Sequence, residues 1–379
     1  MTDQTFRVVL TGGGSGGHVY PLLAVAEKLK EKSASLNFDL ELAYLGPHDP
    51  FSAALEGRGI RMKYVLSGKY RRYFSLLNIL DIPKIIIGFF QALGKLYVTM
   101  PDVIFSKGGT GAFPVILAGW FYRIPVAIHE SDSKPGLTNL LSAYFAKRIF
   151  VTFESAARYF NPRITTRTGT PVRAELFAAP TTKELARDSL GFGAQSPLLL
   201  ILGGSQGSQR INEFILGNLA AIVAEAEVFH QTGTANYDEV AKLARAALID
   251  ASYKNRYQAV AYLDDQRYGL ALTAADIVVS RSGSASLTEI AAFGVPSILV
   301  PHDAGSNGHQ SANAYEFSKT GAAVVIEEEN LLPGIFLSQL KSLINKPELR
   351  QKMATEAAKF YEPQAAEKIV EGILKLGAG

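Results

Sequence analysis

Phe6-Arg7-Val8-Val9-Leu10 runs straight into Thr11-Gly12-Gly13-Gly14-Ser15-Gly16-Gly17-His18-Val19-Tyr20-Pro21, and this passage decides the fold class. An apolar strand, a glycine-rich turn and a helical segment, in that order, open a doubly wound α/β domain. Beyond Pro21, the residues Leu22, Val25, Ala26 and Leu29 share one helical face, while Lys28, Lys30 and Lys32 turn to water. Pro21 is expected in the first helical turn, where its missing N–H has no partner to lose. Glycines at 12, 14 and 17 satisfy G-x-G-x-x-G, a spacing that lets backbone amides approach a phosphate at a helix N-terminus. The dinucleotide form of this motif also expects an acid at the end of the second strand. Here Ala43-Tyr44-Leu45-Gly46 supplies none before Asp49, which argues against a nicotinamide cofactor. A turn built only for close helix–strand packing would not need six small residues ending in a histidine.

Working outward, short apolar runs alternate with segments of helical period, the pattern of parallel sheets covered by helices. Strands are expected at Phe6–Leu10, Leu40–Leu45, Val103–Phe105, Val126–Ile128 and Ile149–Val151. The pattern then restarts. Leu198–Leu202 ends in Gly203-Gly204-Ser205-Gln206-Gly207, with a helix from about Arg210. Strands follow at Val228–Gln231, Gln258–Ala261, Ile277–Val279, Ser297–Val300 and Ala322–Ile326. Asn161–Pro180, rich in Thr, Pro and Arg, reads as a linker. The expectation is an α/β protein of two Rossmann-like domains, 1–165 and 173–346. Helices over 347–379, broken at Glu362-Pro363, return to the first domain.

The 379 residues suit two domains, and 47% hydrophobic with 19% charged residues suits well-buried cores. The absence of cysteine excludes disulfides, thiolate catalysis and cysteine zinc sites. With 38 basic and 35 acidic residues the net charge is +3, too balanced to point to nucleic acid. The N-terminus carries no signal-peptide pattern. Ile85–Val98, interrupted by Gln91 and Lys95, falls short of the roughly 20 apolar residues of a spanning helix. A cytoplasmic protein, peripheral at any membrane, is expected.

Seven motifs come in one order: Thr11–Pro21 (TGGGSGGHVYP), Lys107–Pro114 (KGGTGAFP), Ile128–Asn139 (IHESDSKPGLTN), Gly169–Arg173 (GTPVR), Gly203–Gly207 (GGSQG), Arg281–Glu289 (RSGSASLTE) and His309–Ala314 (HQSANA). In this the chain resembles the MurG family of bacterial glycosyltransferases along essentially its whole length. The resemblance implies a GT-B fold, two Rossmann-like domains facing a cleft. It also implies transfer of GlcNAc from UDP-GlcNAc to undecaprenyl-diphosphate-MurNAc-pentapeptide, lipid I to lipid II, at the cytoplasmic face of the membrane. Carried over by motif, Arg173 and Ser205 would meet the UDP diphosphate, and Leu263 would lie beside the uracil with its backbone. Ser284, Ala285 and Ser286 would approach phosphate or ribose, Glu289 would hold the ribose hydroxyls, and Gln310, with Asn313 nearby, would read the GlcNAc hydroxyls. Ser15, Gly16 and Gly17 would face the acceptor diphosphate and the donor sugar. Where the family usually reads His-Glu-Gln-Asn, this chain has His129-Glu130-Ser131-Asp132. The family asparagine contacts the donor, so Asp132, as a donor-binding residue, would place a carboxylate near a diphosphate, the repulsion relieved by Lys134 or by protonation.

The implied chemistry is an inverting displacement by the MurNAc C4 hydroxyl at C1 of GlcNAc, with UDP leaving. His18 is the first candidate base; the alternative is a histidine that caps the helix or binds phosphate. Glu130 is the second candidate, with a structural bond to loop amides as its alternative. Asp264-Asp265 reads as helix-capping acids rather than metal ligands, no HExxH spacing is present, and no obligatory metal is expected. Lys69–Phe90 mixes basic residues, Arg71 and Arg72 among them, with Phe74 and other apolar side chains. Together with Trp120 it suits an anionic leaflet, or else forms a core helix with a basic rim. Partners expected are UDP-GlcNAc, lipid I, the membrane surface and other proteins of cell-wall synthesis, with no nucleic acid. Rival readings are another UDP-sugar enzyme, epimerase or glycolipid synthase, and a non-catalytic UDP-sugar-binding protein.

Overall fold

The computed structural model describes residues 5–68, 76–109, 111–178, 181–193, 196–204, 207–249, 253–302 and 308–378, with only the backbone of 76–80. It divides into two compact units, Met1–Arg173 with Glu362–Gly379, and Ala174–Tyr361.

Among the described residues the first unit holds a seven-stranded parallel sheet. Its strands are β1 (Phe6–Gly13), β2 (Leu40–Gly46), β3 (Ile60–Tyr64), β4 (Val103–Gly109), β5 (Val126–Glu130), β6 (Arg148–Val151) and β7 (Thr165–Arg167), in the order β3-β2-β1-β4-β5-β6-β7. The second unit repeats the plan. Here β8 (Leu198–Leu202), β9 (Glu227–Gln231), β10 (Tyr257–Val260), β11 (Ile277–Ser280), β12 (Ser297–Leu299) and β13 (Ala323–Val325) run β10-β9-β8-β11-β12-β13. The central strand β8 is apolar and buried at every position, as a parallel strand covered on both faces requires. Leu199 and Ile201 join Ile211, Ile215 and Phe336 on one side, while Leu198, Leu200 and Leu202 join Ala271, Leu272 and Ile290 on the other.

Three features depart from the sequence expectation. The first helix, Gly16–Leu36, begins at the glycine loop, so Pro21 lies in its second turn rather than its first. There the Gly17 carbonyl loses its helical donor. Thr165–Arg167, inside the stretch read as linker, pairs with β6 as an edge strand, and unit 1 continues to Arg173. The C-terminal segment also divides. The helix Pro347–Ala358 stays with unit 2, where Met353 enters its core, and only Ala365–Gly377 returns to unit 1. The division falls at Tyr361/Glu362, beside the Glu362-Pro363 break.

The returning helix completes the first core. Ile369, Val370 and Ile373 join Val8, Leu22, Val25 and Phe105, and Lys28 and Lys32 both reach Glu367. Gly372 and Gly377 admit the rings of Phe150 and Phe6, which a Cβ would meet at 2.5 and 2.3 Å. Ile373→Ala is therefore expected to weaken the unit 1 transition in urea by about 2–5 kcal/mol. An unchanged midpoint would show that this helix is not part of the unit 1 core.

Candidate functional site

In unit 1 the chain winds outward in opposite directions from β1 and β4, and the crevice beyond their carboxyl ends is where such a sheet binds ligands. The two strands extend to a glycine pair, Gly13 opposite Gly109, after a register shift at Thr11/Gly13. Gly109 has φ +85°, and a Cβ on it would lie 2.2 Å from the Gly13 carbonyl oxygen and 2.8 Å from His18 Cδ2. Gly108, at φ +80°, would put a Cβ 2.6 Å from Asn139 Oδ1. Only glycine lets the His18 ring and the Asn139 amide close on this strand end.

His18 is half-buried, with Nδ1 3.3 Å from Ser15 Oγ. Burial pulls its pKa down to about 4, Lys107 adds to the shift, and Asp132 and Asp49 oppose it. The imidazole is thus neutral near pH 7 and able to accept a proton. Gly16 is buried and Gly17 half-buried at the start of the helix. Asp49, the first acid after β2, accepts from the Gly14 amide at 2.8 Å and from Phe51 and Ser52 amides at 2.9 Å each. It clamps the glycine loop.

Glu130, at the end of β5, is committed on both oxygens. Oε1 accepts from the Asp132 amide at 2.9 Å; Oε2 accepts from the Gly136 amide and from Asn139 Nδ2, each at 3.0 Å. This is the loop-amide alternative, realised in full. Burial raises its pKa, Asp132 adds to that, and Lys107 opposes. Asp132 meets a cation that the sequence reading passed over. Lys107, from β4, is 2% exposed and donates to Ser131 Oγ at 2.7 Å, with Glu130 and Asp132 as the carboxylates acting on it. The signal was available, since a lysine closing an otherwise apolar buried strand rarely lacks a purpose.

Next to this cluster the Gly169–Arg173 segment is held by His129 Nε2 to the Gly169 carbonyl at 2.9 Å and by Thr152 and Thr170 hydroxyls 2.7 Å apart. Arg173 ends the segment buried, its guanidinium 4.0 Å from the Tyr20 ring centroid. It belongs to unit 1, not to the domain 173–346 expected from sequence, because these anchors tie it to β5, β6 and the first helix.

Unit 2 has the same switch point between β8 and β11. Ser205 and Gln206 lie outside the described residues, but the glycines flanking them define the turn. Gly204 and Gly207 have φ +86° and +79°, and a Cβ on Gly207 would fall 2.1 Å from the Thr232 carbonyl. Ser284, Ala285 and Ser286 form the first turn of the helix Ser284–Ala292, which has no side-chain cap, and Glu289 is buried one turn on. Beside them Arg281 donates to Ser208 Oγ and Glu328 Oε1, both at 2.8 Å, and to the Val300 carbonyl at 3.0 Å. Glu328 Oε2 lies 2.7 Å from His302 Nδ1, and the His302 amide donates to Gln310 Oε1 at 3.0 Å. This relay orients Gln310; Asn313, fully buried, donates instead to the Ser282 carbonyl. Leu263 is a core residue, followed by Asp264, which caps the next helix by accepting from the Arg267 amide at 2.8 Å. His230 is structural, bonded at 3.0 Å to both Tyr257 and Asn212, with burial lowering its pKa to about 3.

Elsewhere on unit 1 the helices Leu76–Thr99 and Ala112–Phe121 pack together and leave Ile82, Ile86, Phe90, Trp120 and Phe121 exposed, Phe90 at 65% and Trp120 at 56%. Arg71, Arg72 and Phe74 lie outside the described residues. Among the described residues no helix is long and apolar enough to cross a membrane.

Two doubly wound units, each with a glycine-lined crevice at its switch point, make this an α/β protein of the GT-B class. The glycosyltransferase family 28 N-terminal domain matches residues 8–151 and the family 28 C-terminal domain residues 198–369, and the chain belongs to this glycosyltransferase family. It is 35% identical over 97% of its length to a Bacillus cereus protein, 99% of which is covered. That protein is named UDP-N-acetylglucosamine–N-acetylmuramyl-(pentapeptide) pyrophosphoryl-undecaprenol N-acetylglucosamine transferase 2. A Shouchella clausii transferase of that name is 37% identical over 89% of this chain and 91% of its own. Among solved structures, Acinetobacter baumannii MurG superimposes with TM-score 0.74 at 25% identity, covering 98% of this chain and 99% of that one. The UDP-GlcNAc 2-epimerase of Neisseria meningitidis gives TM-score 0.68 at 17% identity over 98% of this chain and all of its own, a likeness of fold alone.

Glu130→Ala would strip three donors of their acceptor, so unit 1 should lose about 1–3 kcal/mol or more in denaturant titration. If stability held while turnover vanished, Glu130 would be a base and not a loop clamp.

Proposed function

We propose that this protein moves N-acetylglucosamine from UDP-GlcNAc to the C4 hydroxyl of MurNAc in undecaprenyl-diphosphate-MurNAc-pentapeptide, making lipid II from lipid I for peptidoglycan synthesis. The observation that carries the reading is the near full-length match to transferases named for that reaction, 35% identical over 97% of this chain. The hydroxyl oxygen forms a bond to C1 of GlcNAc with inversion, the C1–O bond to UDP breaks, and the hydroxyl proton passes to a base.

His18 is that base in this reading. Its neutral imidazole and its place at the end of the glycine loop support the role, and Glu130, with both oxygens engaged, is left to shape the loop. Ser15, Gly16 and Gly17 receive the acceptor diphosphate. The donor belongs to unit 2. Gly203–Gly207, Ser205 included, and the uncapped helix start at Ser284, Ala285 and Ser286 take its diphosphate, where amide N–H groups and the helix dipole offset the charge that develops on UDP. Glu289 accepts from ribose hydroxyls, the backbone at Leu263 meets the uracil, and Gln310 reads the sugar. Arg173 offers a guanidinium fork to phosphate oxygens. These groups supply the leaving-group stabilisation without a divalent metal.

Transfer of radiolabelled GlcNAc to a lipid I analogue should therefore proceed in EDTA, and His18→Ala should lower kcat by about 10²–10⁴. The acid limb of kcat/KM should lie well below 6.5, near the depressed His18 value of about 4, because the imidazole stays neutral down to that pH. UDP-GlcNAc epimerised without transfer, or bound without turnover, would replace this reading with one of its rivals.

The exposed apolar residues on the two packed helices, with Lys84 and Arg123 beside them in sequence, form the membrane-docking face in this reading, and place the protein peripherally on an anionic cytoplasmic leaflet. Phe90→Glu with Trp120→Glu should abolish sedimentation with phosphatidylglycerol vesicles while leaving UDP-GlcNAc affinity intact. Full sedimentation of that variant would place the docking face elsewhere.

A further inference from the structure

Lys107 is buried at the ligand end of β4, and an ammonium there is costly unless it is bonded and balanced. Its surroundings supply a bond and part of the balance: Glu130 and Asp132 favour the ammonium, while burial holds its pKa below the ordinary lysine value. Nζ donates to Ser131 Oγ at 2.7 Å, fixing the first residue of the turn after β5. The next residue, Asp132, gives its amide to Glu130 Oε1, so the strand end, the turn and the lysine form one connected unit. Two residues beyond Lys107 lies Gly109, against whose backbone the His18 ring packs. One buried cation therefore serves the turn and the histidine at once.

We propose that Lys107 is a positioning residue coupled to Asp132: its ammonium holds the Ser131-Asp132 turn in place and balances the Asp132 carboxylate at the crevice where the phosphorylated acceptor binds. Glu130 acts on the same ammonium ahead of Asp132, so Lys107 offsets part of the negative charge of both carboxylates while holding the turn that an anionic substrate meets. The same cation helps keep His18 neutral. The charged groups acting on that ring are Lys107 from β4, Asp132 from the turn after β5 and Asp49 from the loop after β2, and Lys107 alone among them favours the neutral form.

The proposal rests on the acceptor reading of the unit 1 crevice, and its test has one arm that does not. In Lys107→Met, KM for a lipid I analogue should rise by about tenfold or more, the scale of a lost charge-assisted hydrogen bond. The acid limb of kcat/KM should move to higher pH, since removing a neighbouring cation raises the His18 pKa. Asp132→Asn should move that limb to lower pH. Lys107→Met with Asp132→Asn should recover most of the KM and return the limb towards its wild-type position. Independently of turnover, ring-labelled histidine NMR, with His18→Gln to assign the signal, should show His18 titrating higher in Lys107→Met and lower in Asp132→Asn. If wild type transfers nothing yet these shifts appear, the acceptor reading fails and the charge coupling stands. Unmoved His18 titrations, or a double variant as defective as the product of the singles, overturn the coupling. Should Lys107→Met not fold, Lys107→Gln, which keeps a donor for Ser131 Oγ without the charge, replaces it in both the single and the double variant.

Discussion

Where β1 and β4 part, the Gly13 carbonyl and the Gly109 Cα are so close that no side chain fits between them, a Cβ falling at 2.2 Å. Much of unit 1 follows from this contact. It carries the ladder past the apolar part of each strand, as the Gly13–Gly109 register records, and brings the two chain ends together where a doubly wound sheet opens its crevice. The room a side chain would fill is taken by the His18 ring from the first helix and, one residue earlier, by the Asn139 amide. Asn139 in turn donates to Glu130 and so locks the turn after β5. The glycines thus let three separate segments converge on one strand end.

Unit 2 reaches a comparable arrangement with different parts. Its glycine turn is also closed by backbone proximity, Gly207 against the Thr232 carbonyl. The polar scaffold, however, is Arg281, whose guanidinium bridges the cap of the helix Gln209–Gly217, the end of β12 and Glu328. Glu328 passes the arrangement to His302 and thence to Gln310. A guanidinium suits this task because its fixed fork can satisfy several acceptors without titrating. Unit 1 uses a lysine and a histidine instead, groups whose charge responds to surroundings, which fits the unit assigned to proton transfer.

The fold was legible wherever burial wrote itself into composition. Leu198–Leu202 reads as a strand because both faces are covered and every position is apolar, and Phe6–Leu10 because only Arg7 interrupts its apolar run and Val8–Leu10 are buried. Ile60–Tyr64 and Thr165–Arg167 did not, being edge strands whose half-exposed residues carry no such signature. Pro21 misled because proline usually marks a first turn; here the glycines before it were already helical. At the site, Lys107 and Glu130 lie at the ends of β4 and β5, while Glu289 and Gln310 lie on helices of unit 2. For Asp132 the sequence points to Lys134, its near neighbour in the chain. Lys107, 25 positions upstream, acts on the same turn, because a parallel sheet sets the ends of adjacent strands side by side whatever the length of chain between them.

Charge and geometry pull apart over the two residues that the sequence ranks first and second as proton acceptors, His18 and Glu130. Glu130 is buried and raised in pKa, which alone would favour a base near neutrality. Both its oxygens nevertheless accept from donors that hold the turn after β5, and taking a proton would weaken those bonds. His18 is lowered in pKa, which makes it a weaker base in the free protein, yet one ring nitrogen meets only a serine hydroxyl at 3.3 Å and the ring borders the crevice. In the proposed reaction a dianionic acceptor entering there would add negative charge beside the imidazole and oppose the lowering from burial and Lys107, so that its basicity would increase on binding. Geometry therefore outranks resting pKa in the choice: the group held in reserve is the one that the substrate itself can tune.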